Sequence, residues 1–114
     1  LRRCANRMVE ELHATLETDG VTLYGRTRDF SPHGVSLMLE GSPRLEESAF
    51  GKLTLRSHED VWCERLPVRI THSRKWLRAS GRSSCVGAEL HSPTDDQSSR
   101  WMECVRRLGL EVEV

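Results

Sequence analysis

The chain has 114 residues, with 37 % hydrophobic and 30 % charged residues, enough for one folded domain with a modest core and too apolar for a disordered segment. Seventeen Lys and Arg balance seventeen Asp and Glu, which argues against a general binder of nucleic-acid polymers, since that task needs a cationic surplus. No stretch approaches the ~20 apolar residues of a membrane span, and Leu1-Arg2-Arg3 is not followed by the apolar run of a signal peptide.

The chain opens on Arg2-Arg3-Cys4-Ala5-Asn6-Arg7, three guanidiniums within six residues and no apolar period, which reads as an arm over residues 1–8. From residue 9 to 91 apolar residues alternate with polar ones, the period of half-buried antiparallel strands. Leu12, Ala14 and Leu16 mark the first strand; Leu23, Gly25 and Thr27 the second; Val35, Leu37 and Leu39 the third. Leu53 and Leu55 mark the fourth, Leu66, Val68 and Ile70 the fifth, and Val86, Ala88 and Leu90 the sixth. Asp19-Gly20 is a hairpin signal between the first two strands, and Gly41-Ser42-Pro43 and Ser80-Gly81-Arg82-Ser83 are breaks. The basic run Arg74–Arg78 reads as a solvated loop. Six such strands predict a mainly all-β fold, a six-stranded antiparallel barrel, because closure removes exposed edges.

The tail, residues 92–109, predicts a helix. Ser92-Pro93 reads as an N-cap with proline at the first helical position, Asp95 and Asp96 suit the first turn, and Gly109 is a stop. Trp101, Cys104, Val105 and Leu108 fall on one face. Cys4, Cys63, Cys85 and Cys104 are spaced as neither a zinc site nor a disulfide framework, so free thiols and no metal are expected. Trp62 and Trp76 are assigned to packing rather than to base stacking. No catalytic constellation stands out, and the domain itself is read as a non-enzyme.

Two segments carry recognition chemistry. An arginine plane bonds two phosphate oxygens, stacks on a purine, or donates twice to guanine O6 and N7. In Asp29-Phe30-Ser31-Pro32-His33-Gly34, a carboxylate can accept from the guanine N1–H and N2–H groups, a hydroxyl can add a bond, and Gly34 allows a sharp turn and close approach. Each alone is commonplace: a basic arm is usually solvated, Asp and Ser usually cap their own turn, and a turn histidine such as His33 usually faces solvent.

Arg3 and Arg7, then Asp29, Ser31 and Gly34, with Asp29 following Arg7 by 22 positions, resemble the paired motif of the PilZ domain family. Val86-Gly87-Ala88-Glu89-Leu90 is similar to that family's last barrel strand. The resemblance implies a PilZ-type barrel that binds cyclic di-GMP as a regulatory ligand. It implies that Arg3 and Arg7 contact guanine and phosphate from a flexible arm, and that Asp29 and Ser31 contact guanine, with Gly34 holding the turn. In the family the residue before the first motif arginine affects ligand stoichiometry. Here it is Arg2, and a stacked pair of ligands carries twice the phosphate charge of one, so two per domain are expected. The resemblance further implies a cytoplasmic regulatory domain, cut from a larger protein, that acts on an attached or separate effector such as a membrane glycan synthase, with cellulose synthase the first choice of parent. The alternative is a degenerate barrel that serves protein–protein contact without nucleotide.

Overall fold

A computed structural model describes residues 11–41, 45–78 and 81–107, with the backbone alone at 76–78. Six strands, β1 (His13–Thr18), β2 (Val21–Ser31), β3 (Gly34–Glu40), β4 (Phe50–Arg56), β5 (Val61–Arg78) and β6 (Gly81–Leu90), precede one helix, α1 (Asp95–Arg107). The strands close into an antiparallel barrel in the order β1-β2-β3-β6-β5-β4.

The alternation read from the sequence is the inside–outside alternation of this barrel. Leu12, Leu16, Leu37, Leu39, Leu53, Leu55, Leu66, Val68, Ile70 and Val86 fill it, each at most 2 % exposed. Removing such a side chain from water contributes about 1.5–3 kcal/mol. Asp19 and Gly20 both have positive φ, 51° and 74°, as a two-residue hairpin in the right-twisted sense requires.

Register shifts occur between β2 and β3, between β4 and β5, and between β5 and β6. Between Thr27 and Asp29 the pairing of β2 with β3 shifts by one residue, which leaves Arg28 as the extra residue of a bulge. Upstream the odd positions face inward, as at the buried Thr27; downstream Phe30 does, and Arg28 and Asp29 are both exposed. A second bulge in β5 leaves Thr71 unpaired between Ile70, opposite Ala88, and His72, opposite Gly87.

Three sequence expectations are corrected. The basic run Arg74–Arg78 is not a loop: it extends β5 and pairs with Gly81–Cys85 of β6, so strand replaces part of the expected break. Its exposed Arg74 and Lys75 show why a run without a buried partner set looks like loop. The helix cap is Thr94 rather than Ser92. Thr94 Oγ1 accepts from the Gln97 amide at 3.1 Å and Gln97 Oε1 accepts from the Thr94 amide at 2.8 Å, a reciprocal capping box. Ser92 has φ of 47°, so the chain is still turning there and Pro93 precedes the helix. Gly34 is not among the positive-φ residues; a Cβ there would meet Glu89 Cα at 3.0 Å, so glycine serves the close approach of β6 rather than a turn conformation.

β1 begins, β2 ends, β3 begins and β6 ends at the same end of the barrel. There α1 buries Trp101, Cys104 and Val105, three of the four positions assigned to its apolar face, the fourth, Leu108, lying outside the described residues.

Candidate functional site

The turn from β2 to β3 is organised by one hydroxyl. Ser31 Oγ accepts from the Gly34 amide at 3.1 Å and from the His33 amide at 3.3 Å. Ser31 is thus bonded to its own turn, the role such residues commonly play. Asp29, re-aimed by the bulge, has a side chain 73 % exposed, and its Oδ2 lies 4.0 Å from Arg28 Nε. Arg28 Nη1 donates to Cys85 Sγ at 3.3 Å, so its guanidinium reaches across β3 toward β6.

Registers place Asp29 of β2 beside Ser36 of β3, Ser36 beside Gly87 of β6, and Gly87 beside His72 of β5. At about 4.8 Å per strand this row is about 14 Å wide. It borders a shallow groove of about 250 Å³ lined also by Phe30, Ser31, His33, Thr71 and Glu89. Gly87 keeps the groove open. A Cβ there would sit 2.6 Å from Thr71 Oγ1 and from His72 Nδ1, so no larger residue fits without moving both. Arg69 closes one side by donating to Glu89 at 2.7 Å.

Charges in the groove come in pairs: Arg28 with Asp29 and Arg69 with Glu89. The wall supplies carboxylates and polar edges suited to a base, and its own guanidiniums are already matched.

The site is anchored to α1. Trp101 Nε1 donates to the carbonyl of Ser31 at 3.0 Å, and its ring stacks on Phe30 at 5.2 Å between centroids. Two residues of the Asp29–Gly34 segment therefore hold the helix while its polar residues line the groove. Trp62, assigned to packing, is 4 % exposed, and the Arg107 guanidinium covers its ring at 3.9 Å.

Of the residues expected to form the site, Asp29, Ser31 and Gly34 lie together at one rim of the groove. Arg2, Arg3 and Arg7 lie outside the described residues. The point where the chain enters the barrel is defined: Leu12 N donates to Thr27 Oγ1 at 3.0 Å, and Thr27 N donates to Leu12 O at 2.9 Å. Residue 12 thus stands opposite Thr27, two residues before Asp29. Sequence reasoning missed Thr71, His72 and Gly87. Gly87 was visible only as part of the last-strand pattern, and His72 joins the row only because the Thr71 bulge shifts the register.

A PilZ domain family model matches residues 1–107. The chain belongs to the PilZ domain family. Among curated proteins none matches the chain in sequence. Several solved structures share its fold. The PilZ domain of YcgR from Escherichia coli with c-di-GMP has a TM-score of 0.67 at 14 % identity, covering 86 % of this chain and 82 % of that one. MrkH from K. pneumonia in its apo state has a TM-score of 0.73 at 16 % identity, covering 94 % of this chain and 52 % of that one. The Borreliella burgdorferi PlzA protein in complex with c-di-GMP has a TM-score of 0.53 at 14 % identity, covering 86 % and 46 %. The chain thus spans about half the length of MrkH and PlzA.

Proposed function

We propose that this PilZ domain is a cyclic di-GMP receptor in which the arginine arm folds over the groove and clamps the ligand against Asp29 and Ser31. The observation that carries the reading is the chain's entry at Leu12, hydrogen-bonded to Thr27 beside Asp29. Arg7 is five positions before Leu12, a reach of at most about 18 Å, comparable to the width of the groove. Arg2, Arg3 and Arg7 would supply the cations that the paired wall lacks, and Asp29 the acceptor for a guanine edge. YcgR and PlzA, both with c-di-GMP, share the fold and support the choice of ligand.

Ligand binding then ties the arm to the barrel. The arm meets the ligand only in the bound state, so the ligand has differential affinity for the ordered arrangement and repositions the arm relative to the barrel. The effector, a glycan synthase such as a cellulose synthase in the reading from sequence, and a cytoplasmic setting belong to the same proposal. Isothermal titration with cyclic di-GMP tests it. Saturation at two ligands per domain is expected. Each of Arg3→Ala, Arg7→Ala and Asp29→Ala should weaken binding roughly 10- to 150-fold, the loss of one charge-assisted hydrogen bond. A folded chain that does not bind would leave the protein-contact reading in its place, and saturation at one ligand would refute the pair.

A further inference from the structure

Cys63 of β5 and Cys104 of α1 are 41 positions apart in sequence, yet their sulfurs are 3.2 Å apart. Each is 2 % exposed. Cys104 Sγ also faces the Trp62 carbonyl at 3.8 Å. The pair sits at the seam between barrel and helix, one helical turn beyond Trp101. Beside it runs an open groove of about 730 Å³ between β5 and α1, lined by Trp62, Cys63, Glu64, Asp96, Arg100 and Glu103.

We propose that Cys63 and Cys104 form a reversible disulfide on exposure to hydroperoxide, a covalent staple between α1 and β5. Contact between sulfurs leaves only a short displacement to bonding distance. The groove ends at Cys63, and a local opening of the seam between α1 and β5 admits peroxide to the Cys104 sulfur behind it.

The electrostatics assign the first attack. A hydrogen bond from Cys63, opposed by burial and aided by Arg107 and Arg100, holds the Cys104 thiol below its ordinary range; the same hydrogen bond, together with burial, pushes Cys63 up. The Cys104 thiolate attacks one peroxide oxygen. The O–O bond breaks, hydroxide leaves and takes up a proton as water, and Cys104 becomes a sulfenic acid. Cys63 sulfur then attacks Cys104 sulfur, the S–O bond breaks, and the second water leaves with the Cys63 proton. Two electrons pass from the sulfurs to the peroxide, and the chain loses two hydrogen atoms. A dithiol reductant reverses the reaction.

The test treats the wild-type chain and a Cys4→Ser variant with hydrogen peroxide, quenches with acid, unfolds and alkylates. The expected result is two fewer alkylated thiols in both, a Cys63–Cys104 linked peptide by mass spectrometry, full recovery with dithiothreitol, and a raised Tm for the oxidised form. Cys104→Ala should abolish the linked peptide; if that variant does not fold, the wild-type peptide map decides alone. Peroxide that leaves Cys63 and Cys104 alkylatable, drives either to sulfinic acid without linkage, or links either to Cys4 or Cys85 would overturn the proposal.

Discussion

Replacing Trp101 tests whether the helix and the site turn are one unit. Trp101 is wholly buried, donates to the Ser31 carbonyl at 3.0 Å and stacks on Phe30 at 5.2 Å. Trp101→Ala removes all three contributions and leaves a cavity at the seam, a change that costs about 3–5 kcal/mol in packed cores. Trp101→Phe keeps most of the apolar contact and loses the hydrogen bond. That is about 1 kcal/mol for the bond, plus a similar amount for the smaller ring. A domain of this size has roughly 5–15 kcal/mol of stability, so the alanine variant should shift the urea midpoint strongly and the phenylalanine variant modestly, with m unchanged. Far-UV circular dichroism and tryptophan fluorescence, followed together, read both. A double-mutant cycle with Phe30→Leu and Trp101→Leu should give a coupling of about 0.5–1.5 kcal/mol for the stacked pair. If Trp101→Ala cost under about 1 kcal/mol with an unchanged m, α1 would not be docked as described, and the link from Ser31 to the helix would fail with it.

Gly87→Val should leave a folded barrel by circular dichroism but lower cyclic di-GMP affinity at least about tenfold by titration calorimetry, because its side chain would fill the space between Thr71 and His72. Gly34→Ala should destabilise by about 1–3 kcal/mol in denaturant melts, since the added methyl meets β6 backbone, which cannot yield as a flexible side chain would. Ser31→Ala should cost about 1 kcal/mol of stability even without ligand, because two turn amides lose their acceptor. Oxidation of Cys63 and Cys104 closes a loop of 41 positions, worth up to about 4 kcal/mol on chain entropy alone, so the urea midpoint of the oxidised chain should rise and return on reduction.

All six strands were legible because each carries apolar residues on one face at period two, from Ala14 in β1 to Val86 in β6. The Asp19-Gly20 hairpin and the Trp101–Cys104–Val105 helix face were legible for the same local reason. What escaped was register. A bulge adds one residue, and where the neighbours are polar on both sides, as with Arg28 and Asp29, no apolar marker records the slip. The row from Asp29 to His72 depends on such slips in β2 and β5, so a four-strand site showed only its first-strand half. The basic extension of β5 was hidden likewise, since Arg74 and Lys75 are exposed. The Cys63–Cys104 contact joins a strand to a helix far along the chain, and spacing rules for cysteine do not see it.

The shared end of the barrel has an engineering corollary. Entry at Leu12, the β2–β3 turn and the packed helix crowd one pole, whereas the Asp19-Gly20 hairpin caps the other. A fluorophore or affinity handle grafted at Val21, exposed beside this hairpin and free of its positive-φ requirement, would report on or immobilise the domain from its antipode and leave the β2–β3 turn untouched.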